Sequence, residues 1–341
     1  MIRTRVFAVG VLLSASVFGD SIQQFTAGDL VVSVEGNGSG TGNYTDNQAA
    51  PLTLYEFGIS GTSTPAVLAG TLELPQTTVA GGNYAVSGEY GSSSEGTLQL
   101  SGDGKYLTIM GYGVNSTMFN ANPAQYGAVG TIALGQSGNL TGPTYTAVPR
   151  VVALIDASGN VNSTTAVYNA FNTNNPRSAY TANGTTVYIS GQGSGSDATA
   201  GVFFTTVGTT NNAATPITGL DTTNNTISQD TRDVQIYNGQ LYVSADTKGG
   251  SNSARSYIGT LGTGTPTTTV GGPAMLPGFG NTGGTGKVTI SNNGNGINTN
   301  GQVINLSPQN YFFANATTLY VADDGAPKND SASSKTNPGV G

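Results

Sequence analysis

The sequence contains no cysteine, no histidine and no tryptophan, and only 9% of its 341 residues are charged. Without cysteine there is no disulfide, no thiolate nucleophile and no Cys-ligated metal. Without histidine the commonest general base, the commonest metal ligand and the usual switch near neutral pH are gone. Ser-His-Asp and Cys-His relays are excluded, and so is a zinc site of ordinary composition. What remains for chemistry is carboxylates, a few Lys, Arg and Tyr, and oxygen-ligated calcium. Cations are scarce as well: 11 Lys and Arg stand against 18 Asp and Glu, for a net charge of −7. Nucleic acid and anionic membrane both need clustered cations, so neither is expected as a partner.

Long apolar runs are almost missing. The one exception opens the chain, and residues 1–19 read as a signal peptide. Arg3 and Arg5 form a basic start, Val6 to Leu13 begin an apolar run that continues to Phe18, and Gly19 is small enough to precede a cut before the polar Asp20. The run is shorter than the ~20 residues a membrane helix needs, and no later run approaches that length, so no transmembrane segment is expected after the signal. A leader followed by a chain without cysteine points to a bacterial protein that is secreted, periplasmic or on the cell surface.

What is present is 51 Gly, much Ser, Thr and Asn, and 16 Tyr and 11 Phe spread along the chain. Disordered chains carry few aromatics, so this composition predicts a folded, turn-rich β protein. No segment keeps helical spacing of apolar residues over three turns. Four segments share one pattern, a strand, a tight turn and a second strand: 97–109, 177–190, 232–244 and 309–322. Asp103-Gly104, Asn183-Gly184 and Asn238-Gly239 supply turn residues that tolerate positive φ, and Asn315-Ala316 forms a weaker turn. Further strands flank these hairpins, at Leu52–Phe57, Ala66–Leu74, Arg150–Val161, Gly201–Phe204 and Ser256–Leu261. The period is thus two hairpins, or four strands, which is the signature of a propeller blade. The comparable positions Leu107, Val187, Leu241 and Leu319 are unevenly spaced and farther apart than in a WD-type blade of ~40–45 residues. The excess falls in residues 113–148, 208–230 and 262–300, rich in Gly, Thr and Asn, which read as inter-strand loops.

The fold expected is therefore all-β, a β-propeller of four-stranded antiparallel blades with long Gly/Thr/Asn-rich loops, spanning residues 29–325. A parallel β-helix and a sandwich or tandem-domain arrangement are the competing architectures. About five blades are begun, against six or seven for a complete ring. Residues 326–341 read as a polar tail or a truncated blade, so the ring is expected to be incomplete. The runs Leu241-Tyr242-Val243-Ser244 and Leu319-Tyr320-Val321-Ala322 resemble the Tyr-Val repeats of YVTN/lactonase-like propellers. The span Asp29 to Gly325 also resembles a group of secreted bacterial proteins that open with a leader and a strand such as Asp29-Leu30-Val31-Val32-Ser33-Val34-Glu35-Gly36. The resemblance implies architecture. The lactone hydrolysis of the lactonase relatives does not carry over, because no residues for it are found here.

Candidate ligand-binding residues come from aligning the hairpins on their turns. Thr97, with Glu95 just before it, Arg177, Arg232 and Gln309 then share one position, and Asp233 adjoins the third. In a propeller such positions open on the central channel, where Glu95, Arg177, Arg232, Asp233 and Gln309 would grip a carbohydrate or small anion. The competing reading makes them structural pairs, Arg177 and Arg232 with Glu95 or Asp233. Asp323, Asp324 and Asp330 offer oxygens for calcium, although their spacing fits no calcium loop and a solvated turn accounts for them as well. Asp156, Asp197 and Asp246 read as turn formers after strands. A carboxylate-pair glycosidase would have to draw on Glu35, Glu56, Glu73, Glu89 and Glu95, most of which look like exposed strand positions with no pair standing out. The function expected is a secreted, non-catalytic binding or envelope protein with a carbohydrate or protein ligand and no required cofactor. A carbohydrate- or lactone-acting hydrolase or lyase and an adhesin-like structural protein are the alternatives.

Overall fold

The computed structural model describes residues 20–21, 24–36, 44–59, 65–194, 197–219, 230–246, 256–276, 287–290, 302–305 and 308–323. Among the described residues the fold is all-β with one short α-helix. It forms two compact units, one of residues 1–189 and 204–214 and one of residues 190–203 and 215–341. The expected signal peptide lies outside the described residues.

The first unit begins with β1 (Asp20–Ser21), β2 (Leu30–Glu35), β3 (Ala49–Gly58) and β4 (Val67–Glu73). β3 runs antiparallel to β2 and β4, while β1 lies parallel to β4 through Asp20↔Gly70 and Ser21↔Thr71. Next come β5 (Ser87–Glu89), β6 (Gln99–Leu100), β7 (Tyr106–Tyr112), α1 (Ser116–Ala121), β8 (Arg150–Asp156) and β9 (Val161–Val167). β6, β7, β8 and β9 pair in chain order, as a four-strand meander. β5 bridges the two groups by pairing with the start of β3 and the end of β7. Alternation along these strands sends Leu52, Leu54, Leu107, Ile109, Val151, Ala153 and Ile155 into one core. Gly111 sits where backbone comes close: a Cβ there would lie 2.7 Å from the Ser87 carbonyl oxygen.

The segment 113–148, expected as a loop, instead carries α1 and two 3₁₀ turns at Pro123–Tyr126 and Leu134–Gln136. Asn115 caps α1 by accepting a hydrogen bond from the Met118 N–H at 2.9 Å. Phe119 packs on Tyr126 with ring centres 5.7 Å apart, and Tyr112, Leu134 and Val148 complete a second small core. One helical turn and a few scattered apolar residues are too short a pattern to show as periodicity.

Two more sheets repeat the meander. One is β10 (Pro176–Tyr180), β11 (Thr186–Gly191), β12 (Gly201–Thr206) and β13 (Thr215–Pro216), in that order, and it holds the residues at which the chain passes between units. The other is β14 (Thr231–Tyr237), β15 (Gln240–Asp246), β16 (Ser256–Thr260) and β17 (Ala274–Met275). β18 (Lys287–Ile290) pairs with β19 (Gln302–Asn305), and β20 (Pro308–Asn315) with β21 (Thr318–Asp323). The regions 208–230 and 262–300 are thus not loops throughout, since β13, β17 and β18 fall within them. The two-residue edge strands β13 and β17 have no room for an alternating signal.

All four expected hairpins are present. Asn238 and Gly239 both have positive φ, 47° and 74°, the two-residue turn that suits strand twist. In the fourth hairpin the turn falls one residue later than expected, on Ala316 and Thr317. Asn315 sets it by accepting hydrogen bonds from the Thr317 N–H and hydroxyl, both at 2.9 Å.

Candidate functional site

In the first unit, strand register gathers a polar cluster. Glu89 lies opposite Ala49, and Tyr112 lies opposite both Ser87 and Arg150. Glu95, from the β5–β6 connection, is held from three sides. Its Oε1 accepts from the Tyr112 hydroxyl at 2.7 Å and from the Asn175 amide, and its Oε2 accepts from the Glu89 N–H at 3.3 Å. The Glu89 carboxylate accepts from the Gly135 N–H, and Glu35 accepts from the Gly91 N–H at 3.1 Å.

Arg150 anchors this cluster. Its guanidinium is fully buried, stacked 4.5 Å from the Tyr112 ring centre. Its five N–H bonds go to the carbonyls of Ser137, Val148, Phe171 and Asn174 and to the Ser137 hydroxyl, at 2.9–3.2 Å. One side chain thereby fixes the segments that present Gly135 and Asn175.

Three carboxyls in a poorly hydrated place cannot all ionise cheaply. Burial, reinforced by the charge of Glu89, pushes Glu95 up to about 7. Burial and then the charge of Glu95 hold Glu35 well above the usual carboxylate range. Burial raises Glu89 too, while the Gly135 N–H and the Arg150 charge pull the other way. Glu95 therefore titrates near neutral pH, where an ordinary carboxyl is already fully ionised. The expectation of exposed glutamates with no pair is corrected here: Glu56 and Glu89 are buried, Glu35 and Glu95 half-buried, and Glu73 alone is exposed. The pairings that bring Glu35, Glu89 and Glu95 together are long-range, and no local spacing announces them. Arg150 did carry a signal, since it directly precedes the apolar run Val151-Val152-Ala153-Leu154-Ile155. A strand buried on both faces takes its first residue inside with it.

In the second unit, Arg232 is the centre of a buried node. It pairs with Asp230 at 3.3 Å and Asp246 at 3.6 Å, and donates to the Gln309 amide oxygen at 2.6 Å. Arg232 and Asp233 fall in a register shift of β14, between Thr231↔Ala245 and Val234↔Val243. Such bulges re-aim side chains, and Arg232 pairs with Asp230 and Asp246 while Asp233 accepts from Gln235 at 3.2 Å. Asp246 is thus an ion-pair partner of Arg232, whereas Asp156 does form its turn, accepting from the Ser158 and Asn160 N–H groups.

Of the five expected ligand-binding residues, the structure joins Arg232 to Gln309, with Asp233 buried beside them in sequence. Glu95 belongs to the carboxyl cluster of the first unit. Arg177 is buried in β10. Arg177, Arg232 and Gln309 are each the second residue of the first strand in their hairpins, as the repeat predicts. Of the calcium candidates, Asp324, Asp330 and the side chain of Asp323 lie outside the described residues. Among the described residues no three of His, Cys, Asp and Glu are grouped to hold a metal ion. A shallow depression of about 580 Å³, lined by residues such as Ala121, Pro123, Ala128 and Ile132, carries no ionisable side chain. Among the described residues no helix is long and apolar enough to cross a membrane. Compared with known families and curated proteins, the chain matches no family model and no curated sequence.

Proposed function

We propose that the chain is a secreted, non-catalytic recognition protein of the bacterial envelope, built on a β-propeller of four-stranded blades, whose ligand is a carbohydrate. The observation that carries this reading is the contact between Arg232 and Gln309. They occupy equivalent positions in two hairpins, lie 77 residues apart and meet at 2.6 Å. Convergence of one repeat position is what a propeller axis produces. Within each unit, sheets also touch through their first strands. Gln99 in β6 donates to the Ser178 hydroxyl in β10 at 2.5 Å, and Gln235 in β14 donates to the Tyr311 carbonyl in β20 at 2.6 Å. The Tyr-Val runs that resemble YVTN/lactonase-like propellers support the same architecture.

A sugar suits the polar inventory better than a small anion. The Arg232 guanidinium is already neutralised by two carboxylates, so it has little charge left for an anion. Glutamate, glutamine and asparagine side chains supply the mixed donors and acceptors that hydroxyl-rich ligands need. The test is a screen of neutral and acidic oligosaccharides against the full chain. Saturable binding of at least one is expected, and none bound at millimolar concentration refutes the reading.

One observation favours a second reading, a carbohydrate hydrolase. Glu95, poised at about 7 beside Glu89, has the character of a general acid. Turnover of oligosaccharides that is lost in Glu95→Gln would establish it in place of simple binding.

A further inference from the structure

The hairpin β20–β21 has two unlike faces. Inward, Tyr311 is buried and Phe313 stacks on Tyr237, with ring centres 4.5 Å apart and planes 14° from parallel. Phe313 also meets Tyr242 at 4.6 Å. These contacts, with the Gln235 bond to the Tyr311 carbonyl, fix the hairpin in place. Outward, Phe312 and Tyr320 are 63% and 64% exposed. They are direct register partners, Phe312↔Tyr320, so their rings leave the same face side by side.

We propose that Phe312 and Tyr320 form a stacking platform for the pyranose rings of a neutral glycan. The proposal rests on the carbohydrate reading above and gives it a site apart from both polar clusters. Two arguments choose this occupant. The first is charge. The residues alternating with the two rings on this face are Asn310, Thr318 and Ala322, none of them ionisable. Among the described residues, a charged peptide or polyanion would find no counter-charge on this face, on a chain of net charge −7. The second is area. An aromatic side chain buries ~150–250 Å². At about two-thirds exposure, the pair offers roughly 200–300 Å², far below the ~800 Å² per partner of a stable protein interface. That area matches the apolar C–H faces of one or two sugar rings, and the Asn310 amide and the Tyr320 hydroxyl are at hand for the ring hydroxyls.

The experiment measures binding of neutral oligosaccharides by titration calorimetry to the wild type, Phe312→Ala, Tyr320→Ala and, as a control on an exposed apolar side chain of the first unit, Val67→Ala. Circular dichroism confirms that each variant is folded, as expected for changes to exposed side chains. The platform predicts that each ring truncation weakens binding at least tenfold while Val67→Ala binds as wild type. Binding that is unchanged in both ring variants overturns the platform and leaves the carbohydrate reading intact. Absence of any glycan binding by the wild type overturns that reading itself. A wild-type oligomer that dissociates in Phe312→Ala assigns the face to a second copy of the chain and overturns the glycan as its occupant.

Discussion

Replacing Glu95 by Gln should make the protein more stable at pH 8 and leave it nearly unchanged at pH 4. The native carboxyl titrates at about 7 against an ordinary value of 4.5. A carboxyl whose native pKa is raised binds its proton more tightly when folded, so its favourable contribution is complete below pH 4.5. It is lost as pH climbs through about 7, above which the native state carries an ionised group in a place that disfavours charge. A gap of about 2.5 pH units at 1.36 kcal/mol each is worth about 3 kcal/mol, an upper figure because the side chain is half-buried and partly screened. Gln mimics the neutral acid: its carbonyl oxygen accepts from Tyr112 and Asn175 as Glu95 does, it has no charge to lose, and it gives up only the long 3.3 Å bond from the Glu89 N–H. Urea unfolding at several pH values, followed by tyrosine fluorescence in this tryptophan-free chain, would measure the difference between variant and wild type. Glu35 ionises more easily once the Glu95 charge is gone, so its relief adds to the gain in the same direction. The expected result is a gain that grows from near zero at pH 4 to about 1–3 kcal/mol at pH 8. A difference that stays flat from pH 4 to pH 8 would refute the reasoning.

Arg150→Met should cost about 3–5 kcal/mol by urea unfolding, because it strands four carbonyls and a hydroxyl, most of them buried, that the guanidinium now satisfies; Arg150→Lys, with three donors in place of five, should recover less than half of the loss. Gly111→Ala should destabilise by roughly 1–3 kcal/mol, since the new methyl meets the Ser87 carbonyl and the Val86 side chain below 3 Å. Asn115→Ala removes the side-chain cap of α1 and should cost about 1 kcal/mol in thermal unfolding, with hydrogen exchange faster in residues 116–121 than elsewhere.

The parts of the fold that could be read from sequence are those fixed by near neighbours. Asn238-Gly239 announces its turn because positive φ is a property of those residues, and the flanking Val234, Ile236, Leu241 and Val243 alternate as paired strands must. The four-strand period follows from such hairpins in series. The short helix after Tyr112 was hidden, because a single turn held by one cap and one buried phenylalanine has no periodicity to detect. The candidate sites divide the same way. Arg232 and Gln309 were found through their shared place in the repeat. Glu35, Glu89 and Glu95 were not, because what distinguishes them is burial beside one another, produced by the pairing of β3 with β5 and β5 with β7. Polar residues in alternating strands look solvent-facing until the partner strand is known.

The strand order has a consequence for how the molecule is made. Among the described residues, β6 to β9, β10 to β13 and β14 to β17 each pair only with strands next to them in the chain, apart from the links of β7 to β5 and the isolated bridge Gln192↔Asp230. Apart from the 113–149 connection between β7 and β8, these pairings close short stretches of chain, so little entropy is spent before contacts form. A polypeptide that emerges from one end can therefore complete one sheet before the next has been synthesised or delivered. Such a chain needs no oxidase to lock its sheets, and the missing cysteines cost its assembly nothing.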